Sequence, residues 1–415
     1  MNRNRGAGGG AAGGRRAGVD PTSPQCPHFG RCGGCSLLPI PIEQQLEAKR
    51  GRAAALLAPH LASVAIDVAL PPRPPRHDRT TLLYPAQRCN GRLELGIYRT
   101  GSHELEPILD CRIQHRALTR LGVAAAAVLR ELGLSPYDET TGRGLVRAFR
   151  ARVMPGSNEL LLGVVTTRLD FPERARLTRE LRRIGEGLRD DQGRPLQLVG
   201  IVQNHNPNPG NVLLGPQQDV LWGSGWQHDQ VAGLRLRVSF ASFYQHHRHA
   251  DAILFRPALA MLGPLTDLDV VDGYGGIGAF GLRCLQAGAR SVTLVESSPS
   301  ACADARHNLQ ANGLEHGTVR EEPFGSQPLP RCDVLLADPP RAGLQEVGAA
   351  AVLACAPPRV LLVSCALESL ARDLDRLATA YRVAAVRLCD LFPHTDHVEA
   401  LTLLVRRDAS HPDSA

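Results

Sequence analysis

The stretch Leu268-Asp-Val-Val-Asp-Gly-Tyr-Gly-Gly-Ile-Gly278 is a short apolar run that ends in a glycine-rich loop. A run of this length closed by polar residues is typical of a buried parallel strand, and the glycines permit a tight turn into a helix. Three similar runs follow at residues 291–296, 334–338 and 359–365. Because they alternate with helical segments, the sequence predicts a doubly wound α/β fold, in which ligands bind beyond the carboxyl ends of the strands.

Two features at strand ends indicate what that ligand is. Glu296 ends the second run, where its carboxylate can accept hydrogen bonds from both ribose hydroxyls of an adenosine-type cofactor. Since the loop also satisfies the pattern G-x-G-x-x-G, a nicotinamide dinucleotide is an alternative. The stiff turn Asp338-Pro-Pro-Arg341 follows the third run. An acidic residue before two prolines at a strand end is common in methyltransferases that act on planar nitrogen or base substrates, and it favours that class.

A cysteine and a glutamate are the candidate catalytic residues. Cys365 ends the fourth run, so its thiol is expected to face the same crevice as the glycine loop. A helix is predicted to begin directly after it, and the positive end of a helix dipole lowers the pKa of a thiol. Glu399 ends the segment Phe392-Pro-His-Thr-Asp-His-Val-Glu399, beside a terminal strand. Most cysteines in such a protein are buried and structural, so the position at a strand end distinguishes Cys365.

Four other cysteines form a candidate metal site. Cys26, Cys32 and Cys35 are spaced C-x5-C-x2-C, and Cys111 follows far downstream. Four thiolates suit either a four-iron cluster or a tetrahedral zinc ion, and a distant fourth ligand ties two chain segments together. We interpret residues 25–115 as a cluster-binding region.

The remaining segments define the domain organisation. Residues 1–24 are rich in glycine, alanine and arginine and are interpreted as a disordered tail, and residues 71–76 as a stiff proline-rich connector. Residues 116–235 form a mixed α/β region before the catalytic domain at residues 236–408. The elements predicted ahead of that domain are helices at 43–58, 116–133 and 173–188 and strands at 92–98, 145–153, 160–166 and 197–203.

Composition limits the class of protein. The chain has 415 residues, of which 43% are hydrophobic, and a formal charge of +6, which neither requires nor excludes nucleic acid. No apolar run is long enough to span a membrane, and the first residues lack the apolar region of a signal peptide. Eleven cysteines in such a chain indicate reduced thiols in the cytoplasm rather than a disulfide framework.

In order and spacing, these motifs resemble those of the RNA uracil-5-methyltransferases over residues 26–405. The family pattern is a C-x5-C-G-G-C array with a distant fourth cysteine, then S-F-F-Q, the glycine loop, D-P-P-R, S-C-N-P and a final F-P-x-T-x-H-x-E. Beyond the cysteines, the counterparts in this chain are residues 242–245, 272–278, 338–341, 364–367 and 392–399. The chain departs from the pattern at Ala279 and Ala366, where the family has asparagine.

The resemblance implies a fold, cofactors and a substrate. For residues 236–408 it implies a Rossmann-like class I methyltransferase domain with a seven-stranded, mostly parallel sheet. It also implies that residues 116–235 bind RNA, and that the four cysteines hold a [4Fe–4S] cluster rather than zinc. The methyl donor is then S-adenosylmethionine. The substrate is expected to be ribosomal rather than transfer RNA, because the N-terminal RNA-binding barrel of some members is missing. We expect a cytoplasmic monomer without membrane contact. The residues expected to contact the cofactor or the base are Gln245, Tyr274, Gly276, Glu296 and Asp338.

The implied chemistry is methylation of uridine at C5. The Cys365 thiolate adds to C6 of the uracil, C5 attacks the methyl group, and Glu399 removes the C5 proton. Two alternatives stay open: a diverged methyltransferase of the same fold that acts on another base or RNA, and a non-catalytic iron–sulfur RNA-binding protein. The departures at Ala279 and Ala366 motivate the first, whereas the presence of both Cys365 and Glu399 argues against the second.

Overall fold

The computed structural model describes residues 25–70, 75–210 and 212–407. The predicted tail at residues 1–24 and most of the predicted connector at 71–76 lie outside these ranges. The elements of the first half are α1 (Ile42–Leu61), β1 (Ile66–Ala69), β2 (Thr81–Cys89), β3 (Arg92–Tyr98), β4 (Leu105–Pro107), α2 (Arg116–Glu131), β5 (Val146–Val153), β6 (Glu159–Thr166), α3 (Arg174–Glu186), β7 (Gln197–His205), β8 (Gln217–Gly223), β9 (Trp226–Val231) and β10 (Leu234–Ser239).

The second half alternates strands and helices after a π-helical turn at Asp251–Phe255. Its elements are α4 (Arg256–Leu262), β11 (Asp269–Gly273), α5 (Gly281–Gln286), β12 (Ser291–Glu296), α6 (Pro299–Ala311), β13 (Gly317–Glu321), β14 (Val334–Ala337), α7 (Gln345–Cys355), β15 (Arg359–Ser364), α8 (Leu367–Leu377), β16 (Tyr381–Cys389) and β17 (Glu399–Arg406).

The catalytic sheet has the strand order β1–β16–β17–β15–β14–β11–β12–β13. Neighbouring strands run parallel except at β17, which pairs antiparallel with both β15 and β16. β14 and β15 consist mainly of valine and leucine that are covered on both faces, as a parallel sheet between helix layers requires. The predicted α/β fold with a mostly parallel sheet is confirmed.

Residues 236–408 contribute seven strands to this sheet, β11–β17, as predicted, and an eighth strand comes from outside that segment. The additional strand is β1, which comes from the N-terminal part of the chain and pairs parallel with β16, with Ile66 opposite Val386. Residues 42–69 fall within the segment 25–115 that was interpreted as a cluster region, yet they complete the catalytic sheet. The sequence shows no sign of this, because a four-residue strand carries little pattern of its own.

α1 packs on the catalytic domain through one apolar face and a buried ion pair. Ala53, Leu57 and Leu61 are spaced four residues apart on one face of the helix and are buried in the core that the sheet shares with α8. One turn earlier lies Lys49, the single lysine of the chain. Its Nζ donates to Asp390 Oδ1 at 2.7 Å, and both side chains are almost fully buried. α1 is therefore an integral part of the catalytic domain.

The middle of the chain forms a second sheet, with strand order β4–β3–β2–β5–β6–β7–β8. Its strands pair antiparallel except for β6 and β7. α2 and α3 pack together on this sheet, and α3 buries Leu177 and Leu181 against it. A separate hairpin, β9–β10, follows and contacts α6 of the catalytic domain. Within the described ranges, none of the helices has the length and apolar character needed to cross a membrane.

Candidate active site

The glycine loop follows β11 and is held by the carboxylate that ends β12. Gly276 has φ +54°, a conformation that L side chains rarely adopt, and a Cβ at this position would meet open space. Its N–H donates to Glu296 Oε2 at 3.0 Å, and Glu296 Oε1 accepts from the N–H of Ser298 at 2.7 Å. Glu296 thus lies directly beside the open loop, where the sequence analysis expected a ribose contact.

Asp272 is a buried carboxyl group beneath the loop that was not singled out from the sequence. Its Oδ2 accepts from the N–H of Gly281 at 2.8 Å, whereas Oδ1 has no partner among the described residues. Burial, with smaller contributions from Asp338 and Glu296, raises the pKa of Asp272 to about 7. A buried oxygen without a partner, next to an open glycine loop, fits a polar cofactor such as S-adenosylmethionine.

Tyr274 and Asp338 flank the same loop. Tyr274 has φ +60°, and its ring packs at a tilt on Phe324, with 4.9 Å between the ring centroids. The N–H of Asp338 donates to the carbonyl of Gly273 at 3.2 Å, so the Asp338-Pro-Pro-Arg turn begins directly beside the loop. Burial raises the pKa of Asp338 to about 7. The structure therefore brings Tyr274, Asp338 and the loop together at one edge of the sheet.

Cys365 and Glu399 lie at adjoining positions of two paired strands. Cys365 directly follows β15 and Glu399 begins β17, and the last pair of this antiparallel ladder is Ser364 with Ala400, so Cys365 and Glu399 lie near each other at its end. Burial and the Glu399 carboxylate raise the pKa of the Cys365 thiol, and Arg341 partly offsets them. The sequence predicted that the dipole of α8 lowers the pKa of the Cys365 thiol. This prediction is wrong, because burial and the neighbouring Glu399 outweigh the dipole.

Glu399 is buried in a cluster of acidic groups. Its Oε2 has no hydrogen-bond partner among the described residues. Burial and the nearby Asp338 raise the pKa of Glu399 to about 8, while Arg341 acts in the opposite direction. Arg341 is thus the cation that favours both the thiolate of Cys365 and the carboxylate of Glu399.

A cavity of ≈ 340 Å³ opens on this side of the molecule, and Arg341 lies in its wall. Gln245, which the sequence analysis assigned to the cofactor site, also lines the cavity, together with Arg79 and His397. The glycine loop is not part of that wall. His397 Nε2 lies 3.5 Å from Arg341 Nη2. The two arginines suit a substrate that carries phosphates, so the cavity is the candidate entrance for RNA.

One aromatic side chain lines this cavity and a second packs against it. His246 lines it and packs edge-on against Phe243, with 5.1 Å between the ring centroids, and Phe243 is 60% exposed. Burial and the nearby Arg79 lower the pKa of His246 to about 3, so its ring is neutral at physiological pH. An exposed ring beside a basic cavity is a platform on which a nucleobase can stack.

The four predicted ligand cysteines lie together. Cys26, Cys32, Cys35 and Cys111 line one small cavity, and the N–H of Gly34 donates to Cys32 Sγ at 3.3 Å. In the part of the chain that the structure describes, no group of three or more histidine, cysteine, aspartate or glutamate side chains is arranged to hold a metal ion. A four-iron cluster is larger than one ion, and its thiolate ligands stand further apart.

His28 joins the two segments that carry these cysteines. Its Nε2 accepts from the N–H of Leu109 at 3.2 Å, so the proton of the neutral ring lies on Nδ1, which donates to Glu106 Oε1 at 3.1 Å. Arg31 Nε donates to the same oxygen at 2.9 Å. Sequence reasoning missed these contacts because the partners are far apart in the chain and form no motif.

The cysteine cavity adjoins the larger cavity. Gly34, Arg79, Ile97 and Ile113 line both of them. A substrate in the larger cavity would therefore lie against the loop that carries three of the four cysteines.

Comparison with known proteins agrees with this geometry. The family model described as tRNA (uracil-5-)-methyltransferase matches residues 330–407. An uncharacterized RNA methyltransferase of Listeria monocytogenes is 32% identical to the chain over 93% of the chain and 84% of its own length. One of Halalkalibacterium halodurans is 30% identical over 94% of the chain and 84% of its own length. The chain belongs to the RNA uracil-5-methyltransferase family.

The fold of this chain is also found among solved structures. The crystal structure of the Pyrococcus abyssi tRNA (uracil-54, C5)-methyltransferase in complex with S-adenosyl-L-homocysteine matches with a TM-score of 0.73 and 21% identity. The match covers 92% of this chain and 86% of the other. The predicted RNA methyltransferase class is confirmed. The alternative of a nicotinamide-dependent enzyme is therefore wrong.

Proposed function

We propose that this enzyme methylates uridine at C5 in RNA through a covalent adduct between Cys365 and C6 of the base. The observation that carries the proposal is that Cys365 directly follows β15 and Glu399 begins β17, its antiparallel neighbour, beside the glycine loop. The last pair of this ladder is Ser364 with Ala400, and one further step of the same register would bring Cys365 opposite Glu399. Side chains directly opposite each other on antiparallel strands are about 5 Å apart at Cβ. Such a spacing lets one group reach C6 and the other reach the proton on C5 of the same ring.

The residues divide the reaction between them. The Cys365 sulfur bonds to C6, and the electron pair of the C5–C6 double bond moves to C5 and its conjugated carbonyl. When bound at the glycine loop, S-adenosylmethionine would supply the electrophilic methyl group that C5 takes up, and S-adenosylhomocysteine would remain. Glu399 then takes the C5 proton, and the bond between C6 and sulfur breaks, which restores the double bond and frees Cys365. Burial raises the pKa of both groups, and the positive charge of Arg341 acts in the opposite direction. Arg341 thereby favours the thiolate of Cys365 and the carboxylate of Glu399.

Adduct formation tests the proposal. RNA with 5-fluorouridine at the target has no C5 proton to lose, so the wild-type enzyme should stay attached to it in a denaturing gel. Glu399→Gln should accumulate an adduct with ordinary RNA, and Cys365→Ala should form none. Cys389 is the matched control, since it is opposite Glu399 on β16, and Cys389→Ala should still form the adduct. An adduct with Cys365→Ala would refute the assignment of the nucleophile.

The same experiment separates the two alternatives. A protein that binds RNA but neither methylates it nor forms an adduct is the non-catalytic iron–sulfur binder. A protein that methylates another base, without an adduct at uridine, is the diverged methyltransferase that the alanines at 279 and 366 suggested.

Ribosomal RNA is the proposed substrate in preference to transfer RNA. The choice rests on the resemblance of the cysteine array to that of the ribosomal branch of the family. Incubation with ribosomal and transfer RNA transcripts, followed by mapping of 5-methyluridine, tests it, and methylation of transfer RNA alone would reverse it. We also expect a cytoplasmic monomer, which size-exclusion chromatography with light scattering tests for the oligomeric state.

We propose that the middle domain contacts the RNA through the arginine face of α3. Its buried face carries Leu177 and Leu181, and Arg176 and Arg179 are exposed on the opposite side. Each arginine that neutralises a phosphate of single-stranded RNA contributes about 0.7 to the slope of log affinity against log salt. Replacing both by glutamine should lower that slope by about 1.4. Arg183→Gln is the control, because this guanidinium already pairs with a glutamate at 3.0 Å, and it should change the slope less.

We propose that Cys26, Cys32, Cys35 and Cys111 hold a [4Fe–4S] cluster. The support is that the four thiols line one cavity and that the N–H of Gly34 already donates to one sulfur, as is common around thiolate ligands. Bound there, the cluster would join the cysteine loop to the segment around Cys111 and shape one wall of the RNA cavity. It takes no part in the steps at the uracil.

A further inference from the structure

Two cysteines outside both sites face each other on the catalytic domain. Cys332 lies in the turn before β14, and Cys355 is the last residue of α7. Their sulfur atoms are 3.7 Å apart. Both residues are partly exposed.

The backbone holds Cys355 in position over the turn that carries Cys332. The thiol of Cys355 donates to the carbonyl of Pro330 at 3.3 Å. The backbone N–H of Cys332 also donates to the Cys355 sulfur. The Cys355 sulfur is thus held against the backbone of Cys332, and a disulfide requires the two sulfurs to approach from 3.7 Å to about 2.05 Å.

The electrostatics of the pair favour one thiol as the attacking group. The hydrogen bond from Cys332, together with its backbone N–H, lowers the pKa of Cys355 to about 7, although burial acts in the opposite direction. The pKa of Cys332 rises, because its own thiol donates to Cys355. A thiol whose pKa lies near ambient pH reacts fastest in thiol–disulfide exchange.

We propose that Cys332 and Cys355 form a modification site at which low-molecular-weight disulfides produce a Cys332–Cys355 disulfide. The Cys355 thiolate attacks the external disulfide, whose S–S bond breaks and releases one small thiolate. The Cys332 sulfur then attacks the mixed disulfide on Cys355 and releases the second small thiolate, which takes the Cys332 proton. The protein loses two electrons, and the external disulfide is reduced to two thiols.

The pair is remote from the methyl-transfer site. Cys332 precedes β14, so it lies at the amino edge of the parallel strands, whereas the glycine loop, Asp338 and Cys365 lie at the carboxyl edge. The modification is therefore independent of the proposed function, and its test needs no activity measurement.

Oxidised glutathione under anaerobic conditions tests the proposal on the full-length protein as purified. The wild type should lose two hydrogens in intact mass without retaining glutathione. Digestion without reductant should give a joined peptide pair containing Cys332 and Cys355. Cys332→Ser should stop at one glutathione attached to Cys355, because the resolving thiol is gone. Cys89→Ser is the control, since Cys89 lies on β2 of the other sheet, and it should still give the joined peptides.

Two results would overturn the proposal. One is a wild-type protein in which both cysteines remain free or each carries its own glutathione. The other is a joined peptide that connects either cysteine to a different partner. Because the first result is read from the wild type, a variant that fails to fold does not affect the conclusion.

Discussion

Replacing Lys49 by methionine tests how α1 is held on the catalytic domain. Lys49 Nζ donates to Asp390 Oδ1 at 2.7 Å and to the carbonyl of Phe392 at 3.1 Å. Only 3% of the lysine side chain and 1% of the aspartate side chain are exposed. Methionine has a similar length but no charge, so the variant keeps most packing contacts and leaves the carboxylate of Asp390 buried without its cation. We expect a large loss of stability.

The magnitude follows from the charge that is left behind. Removing one partner of a buried ion pair costs about 3–5 kcal/mol. A buried aspartate can escape this cost by binding a proton, which for an ordinary aspartate costs about 4 kcal/mol at pH 7 and about 1.5 kcal/mol at pH 5. The lost hydrogen bond to the Phe392 carbonyl adds about 1 kcal/mol at either pH. Lys49→Met should therefore cost about 5 kcal/mol at pH 7 and about 2.5 kcal/mol at pH 5.

Urea unfolding followed by circular dichroism at both pH values measures the loss. Tryptophan fluorescence is unsuitable, because both tryptophans, Trp222 and Trp226, lie outside the catalytic sheet. Arg50→Met is the matched control on the next residue of α1. Its partner, Glu47, is 3.4 Å away and both side chains are exposed, so the change should cost less than about 1 kcal/mol.

A second variant identifies the cause. Lys49→Met combined with Asp390→Leu removes both charges and should recover most of the loss, because no unpaired charge stays buried. The reasoning is refuted if Lys49→Met costs the same at pH 5 and pH 7, or if the double variant is as unstable as the single one. In either case packing of the lysine stem, rather than its charge, would hold α1.

Four further predictions concern the two sites. Glu296→Ala should weaken S-adenosylmethionine binding by about 1–3 kcal/mol in calorimetry, and unchanged affinity would move the ribose contact elsewhere. Since burial raises the pKa of Glu399 to about 8, the rate of product release should rise with pH up to about 8. In the folded protein Glu399 keeps its proton up to about pH 8, whereas in the unfolded chain it loses that proton above about pH 4.5. The stability of the wild type should therefore fall relative to that of Glu399→Gln as the pH rises from about 4.5 to about 8. Parallel pH profiles of stability for the two proteins would contradict this. Cys111→Ser should lower the iron content of anaerobically purified protein while Cys89→Ser leaves it intact, and equal iron in both would remove Cys111 from the ligand set.

Patterns that arise from local burial were predictable from the sequence. The strand at Ser291–Glu296 has the predicted bounds, because a strand covered on both faces must be apolar throughout and ends where polar residues begin. The helix predicted at 173–188 is observed at Arg174–Glu186, since its leucines repeat with helical spacing. The motifs at the strand ends were predictable for the same reason, because each follows directly from a strand that the pattern reveals.

Features that depend on distant partners were not predictable. The sign of the pKa change at Cys365 is set by burial and by Glu399, which lies on another strand, whereas the sequence offered only the adjacent helix. The ion pair of Lys49 with Asp390 joins residues with no motif between them. The hairpin β9–β10 was missed because polar residues such as Gln227 and Asp229 are buried in it, so its hydrophobic pattern is weak.

The pairing of β1 with β16 constrains how this chain is made and how it can be divided. Ile66 is synthesised long before Val386, so β1 cannot pair with β16 until nearly the whole chain has left the ribosome. A fragment that starts at the apparent boundary near residue 236 would leave β16 as a bare edge, which invites association with other chains. A self-sufficient catalytic fragment would have to carry residues 42–69, for example grafted after β17 as a circular permutation.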